Sequence, residues 1–250
     1  MHEEAIFEIK ERLLEVNRTF TKPAIITGHP TPWADAFPEA KVVKDSAGLA
    51  LEPCDHDLVI HAMPLHWAND PVGQIIQCRR ALTPAGLFLG VSLGGRTLSE
   101  LRAALGQAEI ELRGGLSPRI APMGEIRDLG ALLQRSGLAL PVADSLLRTA
   151  SYETAKALMH DLRAMGETNA IAARDRRAPT RKLFARMGEL YEQTYRDETG
   201  RITASFELIF LTGWAPDASQ PEPLRPGAAK ARLADALGVR EFNARTKPDS

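Results

Sequence analysis

The stretch Asp57–Gly95, DLVIHAMPLHWANDPVGQIIQCRRALTPAGLFLGVSLGG, constrains the fold most. Asp57 to Met63 is a short apolar run between Pro53 and Pro64, which suits a strand buried on both faces. Asp70-Pro71 then opens a helix, with the aspartate as cap and the proline in the first turn. The spacing predicts that Val72, Ile75, Ile76 and Leu82 point inward and that the helix ends before Pro84-Ala85-Gly86. Leu87 to Leu93 reads as a second buried strand, closed by Gly94-Gly95. Strand, helix and parallel strand make one right-handed crossover of an open α/β sheet. Ligands in such sheets sit beyond the carboxyl ends of the strands, so His61 to Trp67 and Ser92 to Arg96 would line a site.

Around this unit the chain continues to alternate. Glu3 to Val16 reads as an amphipathic helix with Ile6, Ile9, Leu13 and Val16 in one stripe. Pro23–Thr27 and Lys41–Lys44 read as strands, with a short helix to Phe37 between them. Thr97 and Glu100 have the spacing of a capping box, and the helix they open would carry Leu98, Leu101, Leu105, Ala108 and Leu112 on one side. A loop from Arg113 to Pro122 precedes a helix, Met123 to Arg135, that Gly137 can terminate. Pro141 to Thr149 is an expected strand, Ser151 an expected cap for a helix to Met165, and Arg174 to Thr180 a polar break. Arg181 to Tyr195 is an expected helix, and Ile202 to Thr212 an alternating strand. The expectation is one domain over residues 1–215, with 113–197 as a substrate-side elaboration. Residues 216–250 would form a polar, partly disordered tail with one weak helix at Ala228 to Leu237.

The chain has 250 residues, 44% of them hydrophobic and 25% charged, with a formal net charge of −1, which allows one full α/β core. That balance gives no general attraction to nucleic acid or to anionic lipid. The cluster Arg174, Arg176, Arg177, Arg181 and Lys182 reads as a solvated loop and helix start. Cys54 and Cys78 fit neither a disulfide framework nor metal-ligand spacing. No run approaches the ~18 apolar residues of a membrane span, and the Glu-rich start carries no apolar signal region, so the expected location is cytoplasmic. P-loop, His-Glu-x-x-His and Cys-x-x-Cys patterns are absent from the sequence.

Asp-Leu-Val at residue 57, Leu65-His66-Trp67, a helix, Leu-x-Pro-x-Gly and an apolar strand resemble the second half of a class I methyltransferase that uses S-adenosylmethionine (SAM). Further segments recur in the family's order: Gly94-Gly95-Arg96-Thr97-Leu98-x-Glu100-Leu101-Arg102, Gly114-Gly115-Leu116-Ser117-Pro118 and Asp128-Leu129-Gly130. Asp161-Leu162-Arg163-Ala164-Met165-Gly166-Glu167-x-Asn169 and Gly213-Trp214 complete the series. These resemble the branch of the mitochondrial complex I assembly methyltransferase-like factor and its alphaproteobacterial relatives. More distantly, they resemble the malonyl-acyl-carrier-protein methyltransferase of biotin synthesis. The resemblance covers roughly residues 7 to 217 and implies a Rossmann-like sheet with helices on both faces and an antiparallel last strand.

The same likeness places the cofactor at Gly28, His29, Asp45, Leu49 and His61. A nucleotide-like ligand needs glycines in the first βα turn, helix N-terminal amides, and an acid roughly 20 residues on for the ribose. Here Gly28 stands alone before two prolines and Trp33, and too few residues separate Asp45 from Asp57 for the usual helix and strand. The N-terminal half is therefore short by about one βα unit. Asp45 stands as the ribose acid, as the later aspartate reaching the adenine amine with Leu49-Ala50-Leu51 as the adenine wall, or as a plain turn aspartate.

On the acceptor side, His66 is a candidate general base, or a histidine bonded to backbone. Trp67 is a candidate acceptor wall, or a packing residue between helix and sheet. Gly94, Gly95 and Arg96 would face the cleft, Arg96 for a carboxylate or carbonyl. Ser117 and Arg119 belong to a glycine-hinged loop. Arg163 and Glu167 are either an i,i+4 surface ion pair or, with Asn169, a substrate-facing wall. A metal site from His61, His66 and Asp70 lacks a further carboxylate, and no metal is expected. The resemblance implies a methyltransferase using SAM, with a small molecule or protein as acceptor. The alternatives are a non-methylating assembly factor for a complex I-type protein partner, or an arginine hydroxylase-like protein. Neither nucleic acid nor a membrane span enters these readings.

Overall fold

The computed structural model describes residues 1–221, and the chain divides into the units Met1–Pro216 and Asp217–Ser250. In the second unit the Asp217 carboxylate accepts the backbone N–H and the hydroxyl of Ser219, which closes a turn. The helix expected at Ala228 to Leu237 lies outside the described residues.

The first unit alternates through α1 (His2–Glu15), β1 (Pro23–Thr27), α2 (Pro30–Ala36), β2 (Lys41–Lys44) and β3 (His56–Ala62). It continues with α3 (Pro71–Ala81), β4 (Leu82–Leu93), α4 (Ser99–Arg113), α5 (Ile126–Arg135) and β5 (Ala139–Tyr152). The last elements are α6 (Ala155–Ala164), α7 (Arg181–Tyr195) and β6 (Ile202–Trp214). The six strands form one sheet in the order β2-β1-β3-β4-β6-β5. β1 to β4 are mutually parallel, and β6 enters antiparallel between β4 and β5. This is the α/β sheet that the sequence implies, with an antiparallel last strand and one strand fewer than the family's seven.

The alternation of strand residues sorts the core. Ala24, Ile26, Val59, Phe88, Ile209 and Leu211 face α3 and α5, while Ile25, Ile60, Leu89, Val91, Leu208 and Phe210 face α1 and Trp33. A third cluster joins α4, α6 and α7 over the first residues of β6, at Ile202, Ala204 and Phe206. Helices therefore cover both faces, as the near-continuous apolar strands require.

Several local expectations shift. The buried stripe of α3 is Gln74, Ile75, Cys78 and Ala81, and Val72 and Ile76 are only half-buried. Leu82 opens β4 instead of extending the helix stripe. Thr97 and Glu100 do not cap α4 together. The Thr97 hydroxyl accepts the Glu207 N–H, and the Glu100 carboxylate accepts the Ser205 N–H and hydroxyl, so both stitch the helix to β6. Leu112 lies exposed at the last turn of α4. Ser151 sits in β5, which runs longer than expected, and Thr154 caps α6 by accepting the Ala157 N–H. α5 starts at Ile126, not Met123. It ends on Gly137 (φ +76°), whose turn carries the Leu138 N–H to the Leu133 carbonyl at 3.1 Å.

Candidate functional site

The carboxyl ends of β1, β2, β3 and β4 share one edge of the sheet, followed by Gly28, Asp45, Met63 and Gly94. Two non-glycine residues on this edge take left-handed backbone, Met63 after β3 (φ 74°) and Leu98 after β4 (φ 56°). Such conformations persist only where surrounding packing fixes them, and they cluster at functional edges.

One end of the edge holds a cavity of about 80 Å³ lined by Gly28, His29, Asp45, Met63, Trp67, Glu167 and His2 of α1. Its walls are built by local rules. Pro30 and Pro32 start α2 without amide donors, and Trp33 turns inward and is fully buried. The indole N–H of Trp33 donates to His2 Nδ1 at 3.1 Å, and the His2 ring lies 4.6 Å from that of His29. Burial, with the His29 and N-terminal charges next, pushes the His2 pKa down to about 4. The Asp45 carboxylate accepts from the Gln74 amide at 3.3 Å.

Leu49 and His61 do not reach this cavity. Leu49 packs on the α3–α5 core and its N–H donates to Gln77. His61 follows the alternation of β3 toward α3, is fully buried, and pairs with the Gln74 carboxamide oxygen at 2.7 Å. Burial lowers its pKa to about 4, so the ring is neutral near pH 7, and its Nδ1 has no partner.

The other end opens into a cleft of about 330 Å³ between the 3₁₀ turn Leu65–Trp67, α4, α6 and α7. Leu98, Leu101, Met159, Leu162 and Phe184 supply its apolar wall, with Arg119, Arg163, Thr168 and Asn169 as polar members. The wall between cleft and cavity is a hydrogen-bonded knot. Glu167 Oε1 accepts from His66 Nε2 at 3.0 Å and from Trp67 Nε1 at 3.4 Å, and His66 Nδ1 meets the Ser92 hydroxyl at 3.4 Å. Glu167 reaches this point because α6 ends on Gly166 (φ +81°). The Glu167 N–H turns back to the Leu162 carbonyl and the Gly166 N–H to the Arg163 carbonyl, the bond pair of a glycine-terminated helix. Glu167 thus pairs with His66 and not with Arg163.

Ser117 and Arg119 also line up against a carboxylate that the sequence reading missed. Glu109 of α4 is 1% exposed and accepts the Ser117 N–H, the Ser117 hydroxyl and the Arg119 Nε–H at 2.8, 2.6 and 2.7 Å. Burial opposes ionisation of Glu109, but the Ser117 and Arg119 bonds outweigh it and hold the carboxyl below its usual range. The Asn169 amide donates to the Pro118 carbonyl at 3.0 Å, tying the same loop to the end of α6. Gly94 and Gly95 serve close packing: an added Cβ would stand 2.5 Å from Glu207 Oε2 and 2.3 Å from Glu125 Oε1. Arg96 is exposed and lines neither space. Among the described residues no three His, Cys, Asp or Glu side chains are placed to hold a metal ion.

Polar members of buried stripes were the available signals for the missed groups. Glu109 follows Ala104, Leu105 and Ala108 on α4, and Gln74 lies on the stripe of Cys78 and Ala81 on α3.

A SAM-sized ligand needs a site of roughly 300 Å³ or more. The cavity beside Gly28 offers about 80 Å³, and the His2, His29 and Trp33 rings and the Glu167 knot occupy its sides. The space beside Gly28 is smaller than such a ligand requires.

No family model matches the chain. It is similar to the arginine-hydroxylase NDUFAF5, mitochondrial, of Dictyostelium discoideum, 38% identical over 78% of this chain and 44% of that protein. The human protein of the same name is 36% identical over 77% of this chain and 56% of its own length. The malonyl-[acyl-carrier protein] O-methyltransferase of Laribacter hongkongensis is 32% identical over 82% and 63%. The chain thus spans about half the length of the NDUFAF5 relatives. Among solved structures, YcgJ of Bacillus subtilis superposes with a TM-score of 0.55 at 12% identity, covering 87% of this chain and 100% of that one. A Bacillus halodurans protein provisionally described as a methyltransferase gives 0.53, also at 12% identity, covering 84% and 98%. The cytoplasmic expectation is corrected here, because the NDUFAF5 relatives are mitochondrial. No helix among the described residues is long and apolar enough to cross a membrane, and that feature does not separate one soluble compartment from another. The chain is a homologue of the NDUFAF5 and malonyl-[acyl-carrier protein] O-methyltransferase sequences, built on the Rossmann-like class I methyltransferase fold.

Proposed function

We propose that this chain is a non-methylating member of the methyltransferase fold that binds a protein through its acceptor-side cleft. The assembly-factor role implied by the sequence resemblance supplies the setting, with a complex I-type protein as partner. The observation that carries the reading is the contrast along one edge: about 330 Å³ beside Leu98 and about 80 Å³ beside Gly28. Methyl transfer requires donor and acceptor to be aligned in contact. Here His66, Trp67 and Glu167 are bonded across the line that would join the two spaces. With one ring nitrogen on Glu167 and the other on Ser92, His66 is assigned to this wall, not to proton abstraction. Residues 1–215 would act as one unit, with 113–197 forming the binding side. An arginine acceptor finds less support: Arg163 is the cleft's unpaired charge among the described residues, and it would repel a guanidinium.

Calorimetric titration of the purified chain with SAM and with its demethylated product tests the reading. The expected result is no heat at about 100 μM protein, a level that reports any affinity in the micromolar range. Saturable micromolar binding that weakens in Asp45→Ala would overturn it and restore methyl transfer.

A further inference from the structure

The cleft continues beyond Met159, Arg163 and Phe184 into a groove of about 530 Å³ between α6 and α7. Its floor is apolar, with Met159 and Phe184 above the fully buried Met187, and it is open at Gly188, where an added Cβ would meet nothing within 4 Å. Its α6 rim carries Lys156, His160 and Arg163 at i, i+4 and i+7, one face of the helix. None of these three side chains has a hydrogen-bond or ion-pair partner among the described residues. On the α7 rim Glu189 shares Arg186 with Glu111, at 3.0 and 2.6 Å, and Glu192 pairs with Arg196 at 2.5 Å. The α6 rim therefore presents the unpaired positive charges of Lys156 and Arg163 beside an apolar floor, in a chain whose formal net charge is −1.

We propose that this groove docks an acidic amphipathic helix of a protein partner, its apolar side chains over Met159 and Phe184 and its carboxylates along Lys156, His160 and Arg163. This deepens the proposed protein-binding role, on which it rests, by naming the partner's chemistry. The rim asks for negative charge repeated over about 10 Å, seven residues at 1.5 Å each. A fatty acid with one carboxylate cannot supply that repeat, whereas an acidic helix does so every turn. A recessed apolar floor suits neither a phosphodiester backbone nor a flat bilayer. Laying an apolar helix face into a groove between two helices is an established recognition mode.

The test is fluorescence anisotropy on the full chain with a labelled helical probe of about 15 residues, its Leu at helical spacing and its polar face of Glu. Controls are the same peptide with Lys for Glu, a scramble, palmitate, and phosphatidylserine vesicles. The Glu probe should bind, weaken with salt, and lose about tenfold in affinity or more in the exposed double variant Lys156→Glu/Arg163→Glu. That variant should in turn gain affinity for the Lys probe, an exchange that misfolding cannot produce, and circular dichroism would confirm its fold. Equal binding of Glu and Lys probes, equal binding of the scramble, no binding at all, or binding only of palmitate or vesicles would overturn the proposal. A negative result here leaves the calorimetric test of the cofactor cavity untouched, so the two failures are distinguishable.

Discussion

Two ends of one sheet edge have been treated in opposite ways. After β1 the chain packs prolines, a buried indole and a tilted pair of histidines around a small cavity. After β4 it keeps the apolar wall and opens a cleft that runs on between α6 and α7. In an open α/β sheet the edge is the common ligand platform, and here its two ends offer very different amounts of space. The parallel strands below are packed on both faces, by α1 on one side and by α3 and α5 on the other.

The largest expected effect probes the filled end. Trp33→Ala removes a fully buried indole and its bond to His2, and should cost about 3–5 kcal/mol in urea unfolding. Trp67, 38% exposed at the open end, should cost no more than about 1 kcal/mol on the same change. Comparable losses at both sites would erase the contrast between a packed end and an open one.

At the open end, Glu109→Gln leaves Arg119 without its charge partner beneath the Ser117 loop. It should cost about 2–3 kcal/mol and expose residues 114–122 to limited proteolysis. Because the folded carboxyl sits below its ordinary value of 4.5, its contribution is present above that pH and is lost as pH falls through the folded value. Unchanged stability and an unchanged cleavage pattern would show that the loop is held by other contacts.

A smaller effect is expected from the buried imidazole between the two ends. His61 is neutral in the fold with its pKa lowered from 6.5 to about 4, whereas the unfolded chain protonates near 6.5. The unfolded state therefore binds the extra proton, and stability should fall as pH drops from 6.5 toward 4, by about 2 kcal/mol at pH 5. His2, also lowered to about 4, acts in the same direction. His61→Gln should flatten the slope measured by urea titration at pH 7 and pH 5; an equal slope in the variant would remove His61 from the account.

Much of the fold can be read along the chain because it depends on periodicity. Pro23–Thr27, Lys41–Lys44 and Arg181–Tyr195 follow the expected bounds, and Asp70-Pro71 opens α3 as their side-chain chemistry dictates. The site is less readable. Thr97 and Glu100 have capping-box spacing, yet β6 offers both better partners. Arg163 and Glu167 are spaced as an ion pair, yet the left-handed Gly166 swings Glu167 onto His66.

The sequence by itself determined the crossover unit, the antiparallel last strand, the missing βα unit and the lone glycine of the first turn. The crossover unit and the lone glycine follow from apolar period and from proline and glycine positions, which act over a few residues, whereas the antiparallel last strand and the missing unit are what the family resemblance implies. Only the tertiary structure decided that His61 faces α3, that Glu109 holds the Ser117 loop, and that a cavity and a cleft share Trp67 and Glu167 as their common wall. Those outcomes depend on which side chains meet across distant segments, where a hydrogen bond or a clash of about an ångström selects the partner and spacing along the chain carries no such information.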